Sequence, residues 1–243
     1  TAGWPVIDAQ GRGVVVNCTG WENRDTVLCG LVITGGRGRF GGIMCVDSSP
    51  TIANCLIVGN RSADTSGAGG VYCKRSNAAF INCTIADNWA GELGAGIILS
   101  GSGATLSNCI VWGNEPSQIQ ATDSDQFIVS YTAVAGGWPG TGNSSADPGF
   151  ALPGYWAAPA DSSTAWWLAD PATIWTDGDY HLMSQAGRWD PISETWIQDT
   201  TTSPCIDAGD PSTSAGQEPM PNGGRINLGA YGGTNQASMS PQE

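Results

Sequence analysis

The chain has 243 residues and a formal net charge of −13, from 22 acidic and nine basic side chains. One lysine and eight arginines leave no basic face for a nucleic acid, and no stretch approaches the ~18 consecutive apolar residues of a membrane-spanning helix. With 35 glycines and 14 prolines, few segments run three turns without a helix breaker or a β-branched residue, yet recurring aliphatic clusters set the sequence apart from a disordered one.

In chain order, the first feature is Thr1, with no basic, apolar leader before it. Together with eight cysteines and a single lysine, this reads as an exported chain whose signal has been removed, or as an arbitrary boundary. An extracellular or cell-surface location is the expectation. Short apolar runs begin at Val6, and a degenerate first copy of a repeat runs from Val14 through Cys18 to Leu28–Gly36. Three clear copies follow without gaps: Pro50-Thr-Ile-Ala-Asn-Cys-Leu-Ile-Val-Gly-Asn60, Ala78-Ala-Phe-Ile-Asn-Cys-Thr-Ile-Ala-Asp-Asn88 and Ala104-Thr-Leu-Ser-Asn-Cys-Ile-Val-Trp-Gly-Asn114. Asn54 and Asn82 are 28 residues apart, Asn82 and Asn108 26, and the apolar starts at Ile43, Val71 and Ile97 keep both spacings.

The apolar columns Ile52/Phe80/Leu106, Cys55/Cys83/Cys109 and Ile57/Ile85/Val111 alternate with polar positions and reset at the asparagine. Runs so short, β-branched and Gly-bounded are strands, not helices. Each copy therefore reads as one coil of an all-β parallel solenoid, with successive coils about 4.8 Å apart. Stacking gives the asparagines a role: Asn tolerates a left-handed bend, and its amide can bond the amide one coil above. Two ladders are expected, Asn54/Asn82/Asn108 and Asn60/Asn88/Asn114. The cysteines fall in columns too, Cys18/Cys45/Cys73 and Cys55/Cys83/Cys109. Neighbours in a column are close enough for a disulfide and equally suited to stacked free thiols, and both readings stay open. Inward columns offer no tetrahedral metal pocket.

Regular coils occupy residues 1–135. Insertions at Arg61–Gly69 and Trp89–Gly94 leave from one corner. Residues 136–202 are Trp/Gly/Pro-rich long loops with short strands at Phe150 and Tyr180–Leu182, and 203–243 return to the body, so 1–243 reads as a single domain. The repeats, with Val6-Ile-Asp-Ala-Gln-Gly-Arg-Gly-Val14, Asp147-Pro-Gly-Phe150, Gly178-Asp-Tyr-His-Leu182, Ser203-Pro-Cys-Ile-Asp-Ala-Gly-Asp210 and Arg225-Ile-Asn-Leu-Gly-Ala-Tyr-Gly-Gly233, resemble right-handed parallel β-helix proteins of the pectate-lyase-like superfamily. The C-terminal motifs resemble its exported bacterial members. Enzymes of that group cleave uronic-acid polysaccharides, lyases with a basic group and often calcium, hydrolases with clustered aspartates.

Against that resemblance, the coils hold few bases. Lys74 and Arg75 form the one adjacent pair and read better as a turn tip than as catalytic residues. Asp47, Asp64 and Asp87 lack the hydrolases' paired-aspartate signature, and His181 sits in a strand landmark, so no catalytic residue is assigned. Asp123/Asp125, Asp177/Asp179 and Asp207/Asp210 pair carboxylates in loops; turn formation is the preferred reading, no cofactor is expected, and calcium is the alternative. Of the 11 tryptophans, Trp166 and Trp167 are the candidates for stacking on a sugar. Asn60 and Asn143 are the candidate glycan carriers. A solenoid without caps exposes strand edges at both ends, with Gly3-Trp-Pro the only sequence resembling a plug. The expected role is thus an exported structural or cell-surface protein whose partner is itself, stacking end to end into a filament. A polysaccharide lyase or hydrolase and a non-catalytic glycan-binding adhesion module are the alternatives.

Overall fold

A computed structural model describes residues 3–62, 64, 67–91, 96–121, 126–158 and 173–241. The repeat copies wind into a β-solenoid of about five turns, and no helix occurs among the described residues. A complete coil passes through four parallel sheets. In the second coil these strands are Ile43–Val46, Thr51–Ala53, Leu56–Val58 and Arg61–Ser62. In the third they are Val71–Lys74, Ala79–Ile81, Thr84–Ala86 and Trp89–Ala90. Register is residue over residue: Cys73 pairs with Cys45 on one side and Leu99 on the other, and Phe80 with Ile52 and Leu106.

The first two sheets alternate. Ile43, Cys45, Ile52 and Phe80 point into the solenoid and are buried, while Met44, Val46, Thr51 and Ala53 are half-exposed. The third sheet does not alternate: Leu56–Val58 and Thr84–Ala86 are buried on both faces. Ile57, Ile85 and Val111 face the inner core, whereas Leu56, Val58, Ala86 and Ile110 belong to a second, outer core. That outer core is completed by Phe150, Tyr180, Leu182, Cys205, Ile206, Leu228, Ala230 and Tyr231. The C-terminal half is thus a wrap over one side of the solenoid, and each large apolar side chain it buries contributes about 1.5–3 kcal/mol.

The C-terminal motifs are the docking elements of this wrap. Gly229 donates to the Asn108 carbonyl at 2.8 Å and Ala230 to Thr84 Oγ1 at 3.0 Å. A Cβ at Gly229 would stand 2.8 Å from Ile110 Cδ1 and Thr84 Oγ1, and its φ of +84° also calls for glycine. Cys205 bonds Leu228 through its carbonyl, and the Ser203 hydroxyl donates to the Pro148 carbonyl at 2.5 Å.

One corner carries an uninterrupted amide ladder. Asn60 Nδ2 donates to Asn88 Oδ1 at 3.1 Å and Asn88 Nδ2 to Asn114 Oδ1 at 3.0 Å. Gly36 N–H extends it at one end and Gln118 Oε1 at the other. The column Asn54/Asn82/Asn108 differs from expectation. All three take the left-handed conformation, with φ of +47°, +49° and +55°. Only Asn108 Nδ2 to Asn82 Oδ1, at 3.5 Å, joins two of them. Asn54 Nδ2 instead donates to the carbonyls of Ala230 and Gly232, Asn82 Nδ2 to that of Asn227, and Asn108 Oδ1 accepts from Asp210 N–H. The side chains point outward and hold the wrap.

In the structure the cysteine columns are stacked free thiols. Cys18, Cys45 and Cys73 are free and buried, as are Cys55, Cys83 and Cys109, and all six lie in the inner core. Each thiol of the second column finds a backbone acceptor in place of a sulfur bond. Cys109 Sγ donates to the carbonyls of Phe80 and Ser107, at 3.4 and 3.3 Å, and accepts from Cys83 N–H at 3.4 Å. Cys109 also ends its column. The next coil supplies Thr132, whose Oγ1 accepts from Cys109 N–H at 3.3 Å. Cys29 is exposed and Cys205 lies in the outer core. Burial and the neighbouring thiols raise the pKa of Cys83 well above normal.

Trp4 does not plug an end: it packs on Tyr231, ring centroids 4.9 Å apart, in the outer core. Later chain covers part of the last coil. Trp138 meets Phe127 edge-on at 5.9 Å over the inner core, and residues 141–144 bond residues 131–134, including Val134 N–H to Ser144 O at 2.9 Å. The opposite side leaves Val6, Ile7 and Val27 exposed.

Candidate active site

The corner between the third and fourth sheets positions the site. Register places Gly35, Gly59, Asp87, Gly113 and Gly136 at one equivalent position of five coils. All five are left-handed, with φ between +53° and +80°. Four are glycine, the residue this conformation favours, and one is aspartate. At Gly59 the absent side chain is filled by the Trp175 indole, whose atoms stand 2.3–2.5 Å from where a Cβ would lie. At Asp87 the carboxyl takes the space.

The hairpin formed by Tyr155–Ala157 and Ile174–Thr176 lies across this corner. Trp156 Nε1 donates to the Asp87 carbonyl at 3.1 Å, and Tyr180 Oη donates to Asp87 Oδ2 at 2.6 Å. Trp156 and Trp175 pack across the hairpin at 5.1 Å, and the Arg61 guanidinium lies 5.5 Å from the Trp156 ring. Between hairpin and coils is a cavity of about 220 Å³, lined by Asp87, Trp89, Gly113, Glu115, Tyr155 and Trp156 among others. A second, of about 300 Å³, continues past Trp156 and Trp175 toward Arg37 and Arg61. Trp156 lines both cavities, and the groove at Asp87 is the first of them.

Burial raises the Asp87 pKa to about 6, against the Tyr180 hydrogen bond, which favours the ionised form; the Glu115 charge adds to the rise. Tyr180, buried beside that carboxyl, is pushed well above its ordinary value. Oδ2 accepts from Tyr180, and Oδ1 lies against Gly113, which also lines the cavity. Glu115 is exposed on the next coil, paired one above the other with Trp89. The groove therefore holds a carboxyl that stays neutral in mildly acidic solution, the exposed Glu115 side chain, and the exposed Tyr155 ring.

The residues singled out from the sequence lie elsewhere. Lys74 is half-buried in the first sheet, and Arg75 is bound to Asp47 through two contacts of 2.6 Å on the solvent side. Asp177 accepts from Trp175 Nε1 at 2.8 Å, while Asp179 pairs with His181 Nδ1 at 2.5 Å and Arg188 at 2.9 Å, so these two carboxylates diverge. Asp210 caps Ser212 and does not share a site with Asp207. The stacked thiols of Cys55, Cys83 and Cys109 face the inner core and do not reach the groove. No group of three or more His, Cys, Asp or Glu able to hold a metal occurs among the described residues. Asp123, Asp125, Trp166 and Trp167 lie outside the described residues. As glycan carriers Asn60 and Asn143 are corrected: Asn60 is fully buried within the ladder, and Asn143 Nδ2 donates to the carbonyls of Val129 and Trp138. His181 is buried and stacked on Tyr231 at 3.6 Å, a packing position in the outer wrap.

Sequence reasoning weighed Asp87 with Asp47 and Asp64 and set it aside, and it missed Glu115. Asp87 does carry a sequence signal, as the one acidic residue in a column of glycines preceding the ladder asparagine. Glu115 gives no such sign, because its place in the groove depends on the hairpin.

Stacked parallel coils with in-register asparagines and a packed inner core define a parallel β-helix. Residues 6–142 match the family model described as right handed beta helix region, and the chain belongs to that family. Residues 155–209, which include the hairpin and Tyr180, match a second model described as disaggregatase related. No curated protein and no solved structure matches the chain.

Proposed function

We propose that this protein is an exported β-helix enzyme that binds an extracellular polysaccharide along the Asp87 groove and hydrolyses its glycosidic bonds. The observation that carries the reading is Asp87: an aspartate on a glycine corner, held by Tyr180, with a raised pKa, facing an aromatic groove that also contains Glu115. In this scheme Asp87 Oδ1 donates its proton to the leaving oxygen as the glycosidic C–O bond breaks. Glu115 takes a proton from the water that attacks the anomeric carbon. Tyr155, exposed at the cavity, supplies the stacking ring. Two carboxyls suit hydrolysis better than elimination, which needs a base beside the sugar's acidic carbon. The name of the second family match is consistent with cleavage of a polymer that holds an aggregate together.

The filament reading has weaker support. Strand edges are open at both ends of the solenoid, and residues 141–144 pair within the chain with part of the last coil, 131–134. The test is reducing-end release from a panel of acidic and neutral extracellular polysaccharides. Asp87→Asn is expected to lower the rate by roughly a hundredfold or more while the chain stays folded by circular dichroism. Release by Asp87→Asn at the wild-type rate would refute the assignment, and so would substrate binding without any release.

A further inference from the structure

Charge is spread unevenly along this chain. All nine Lys and Arg lie within 12–75 and 188–225, while residues 76–187 hold ten Asp and Glu and no Lys or Arg. The residues that line the cavity of about 220 Å³, from Asp87 to Trp156, all fall within that stretch.

Folding does not bring the cations back to the cavity. Arg75 is bound to Asp47, Arg188 to Asp179 and Asp199, and Arg225 to the carbonyls of Ala208 and Gly209. Arg37 and Arg61 line the second cavity and not the first. Acidic groups act on the first cavity instead. The Glu115 charge bears on Asp87, and the Asp177 charge bears on Tyr180, the donor to Asp87. Glu115 is exposed at the cavity, and the exposed Tyr155 ring offers an uncharged face beside it.

Such a setting selects by charge. A carboxylate or sulfate on a bound sugar meets like charge with no cation to offset it, in a cleft where water screens less than in bulk. The hydroxyls of an uncharged sugar donate to acidic oxygens, a hydrogen bond that an anionic substituent cannot make. Rejection by repulsion is as much a source of specificity as attraction.

We propose that the sugar unit held against Asp87 is uncharged, and that the groove rejects units bearing a carboxylate or a sulfate. This names the substrate class of the hydrolytic reading and rests on that reading.

The experiment uses the full chain and a panel of uronate polysaccharides, each paired with the same polymer after carboxyl reduction, which removes the charge and keeps the ring. Binding is followed by calorimetry, and release of reducing ends in parallel. In at least one pair the neutral member should bind and be cleaved. Its acidic counterpart should bind more weakly by roughly tenfold or more at low salt, with the gap narrowing as salt is added. Glu115→Gln, read by binding alone, should narrow the gap as well. Tighter binding of the acidic members overturns the inference, and leaves the hydrolytic reading standing where their cleavage is lost in Asp87→Asn. Binding of a neutral member without cleavage upholds the inference and refutes the hydrolytic reading. Equal binding of both members, or binding of neither in any pair, overturns the inference.

Discussion

Asn88 and Asn54 are both corner asparagines, yet they do different work. Asn88 is 1 % exposed, donates to the Ile57 carbonyl and to Asn114, and accepts from Asn60. Replacing it by alanine strands several buried groups at once, for an expected loss of about 3 kcal/mol in urea unfolding. Asn54 is half-buried and bonds only the wrap through its side chain, so Asn54→Ala should cost about 1 kcal/mol. Equal losses would mean that the ladder adds nothing to an ordinary turn. The raised carboxyls give a pH prediction at the same scale. Asp87 moves from 3.8 to about 6 and Glu218 from 4.5 to about 7, chiefly by burial. The folded chain then holds these protons more tightly than the unfolded one. Stability present near pH 4 should be lost as pH passes about 6 and then about 7, each group contributing on the order of 1–3 kcal/mol. A melting midpoint that climbs over that range would contradict both environments.

Among the elements, the hairpin over the corner is the piece that turns a solenoid into a site. It is seated by Trp175, whose indole fills the space above Gly59 and also crowds Gly154. Gly59→Ala puts a methyl into that ring and asks alanine to keep a φ of +62°. The expected result is displacement of the hairpin, seen as a red shift of tryptophan emission and a lower melting midpoint. Unchanged emission would place Trp175 elsewhere. The same element marks where sequence reading gave out. Coils and ladder asparagines were legible because a 26- to 28-residue period repeats side chains that must stack. The wrap was not legible, although Leu56-Ile57-Val58 and Ile110-Val111-Trp112 hinted at it: an unbroken apolar strand is buried on both faces, and something must cover the second. Nothing in the sequence shows that Tyr180, 93 positions away, would reach Asp87.

For the whole molecule, two cores share one sheet, the inner one lined with thiols and the outer one formed by the wrap. All eight cysteines are free and only Cys29 is exposed, so a thiol reagent should label one residue in the native chain and eight after unfolding. Fewer than eight would show that column neighbours such as Cys83 and Cys109 have paired by oxidation, the alternative that their stacking permits. The groove lies where coils and wrap meet, so its chemistry requires both. The pH dependence of polysaccharide cleavage, in the wild-type chain and in Tyr180→Phe, tests this most directly. With Asp87 as proton donor, the rate should fall as pH rises through about 6. Removing the Tyr180 hydroxyl, which favours the ionised carboxylate, should move that fall to higher pH. A rate indifferent to pH across this range, or a profile unmoved by Tyr180→Phe, would contradict the assignment of Asp87.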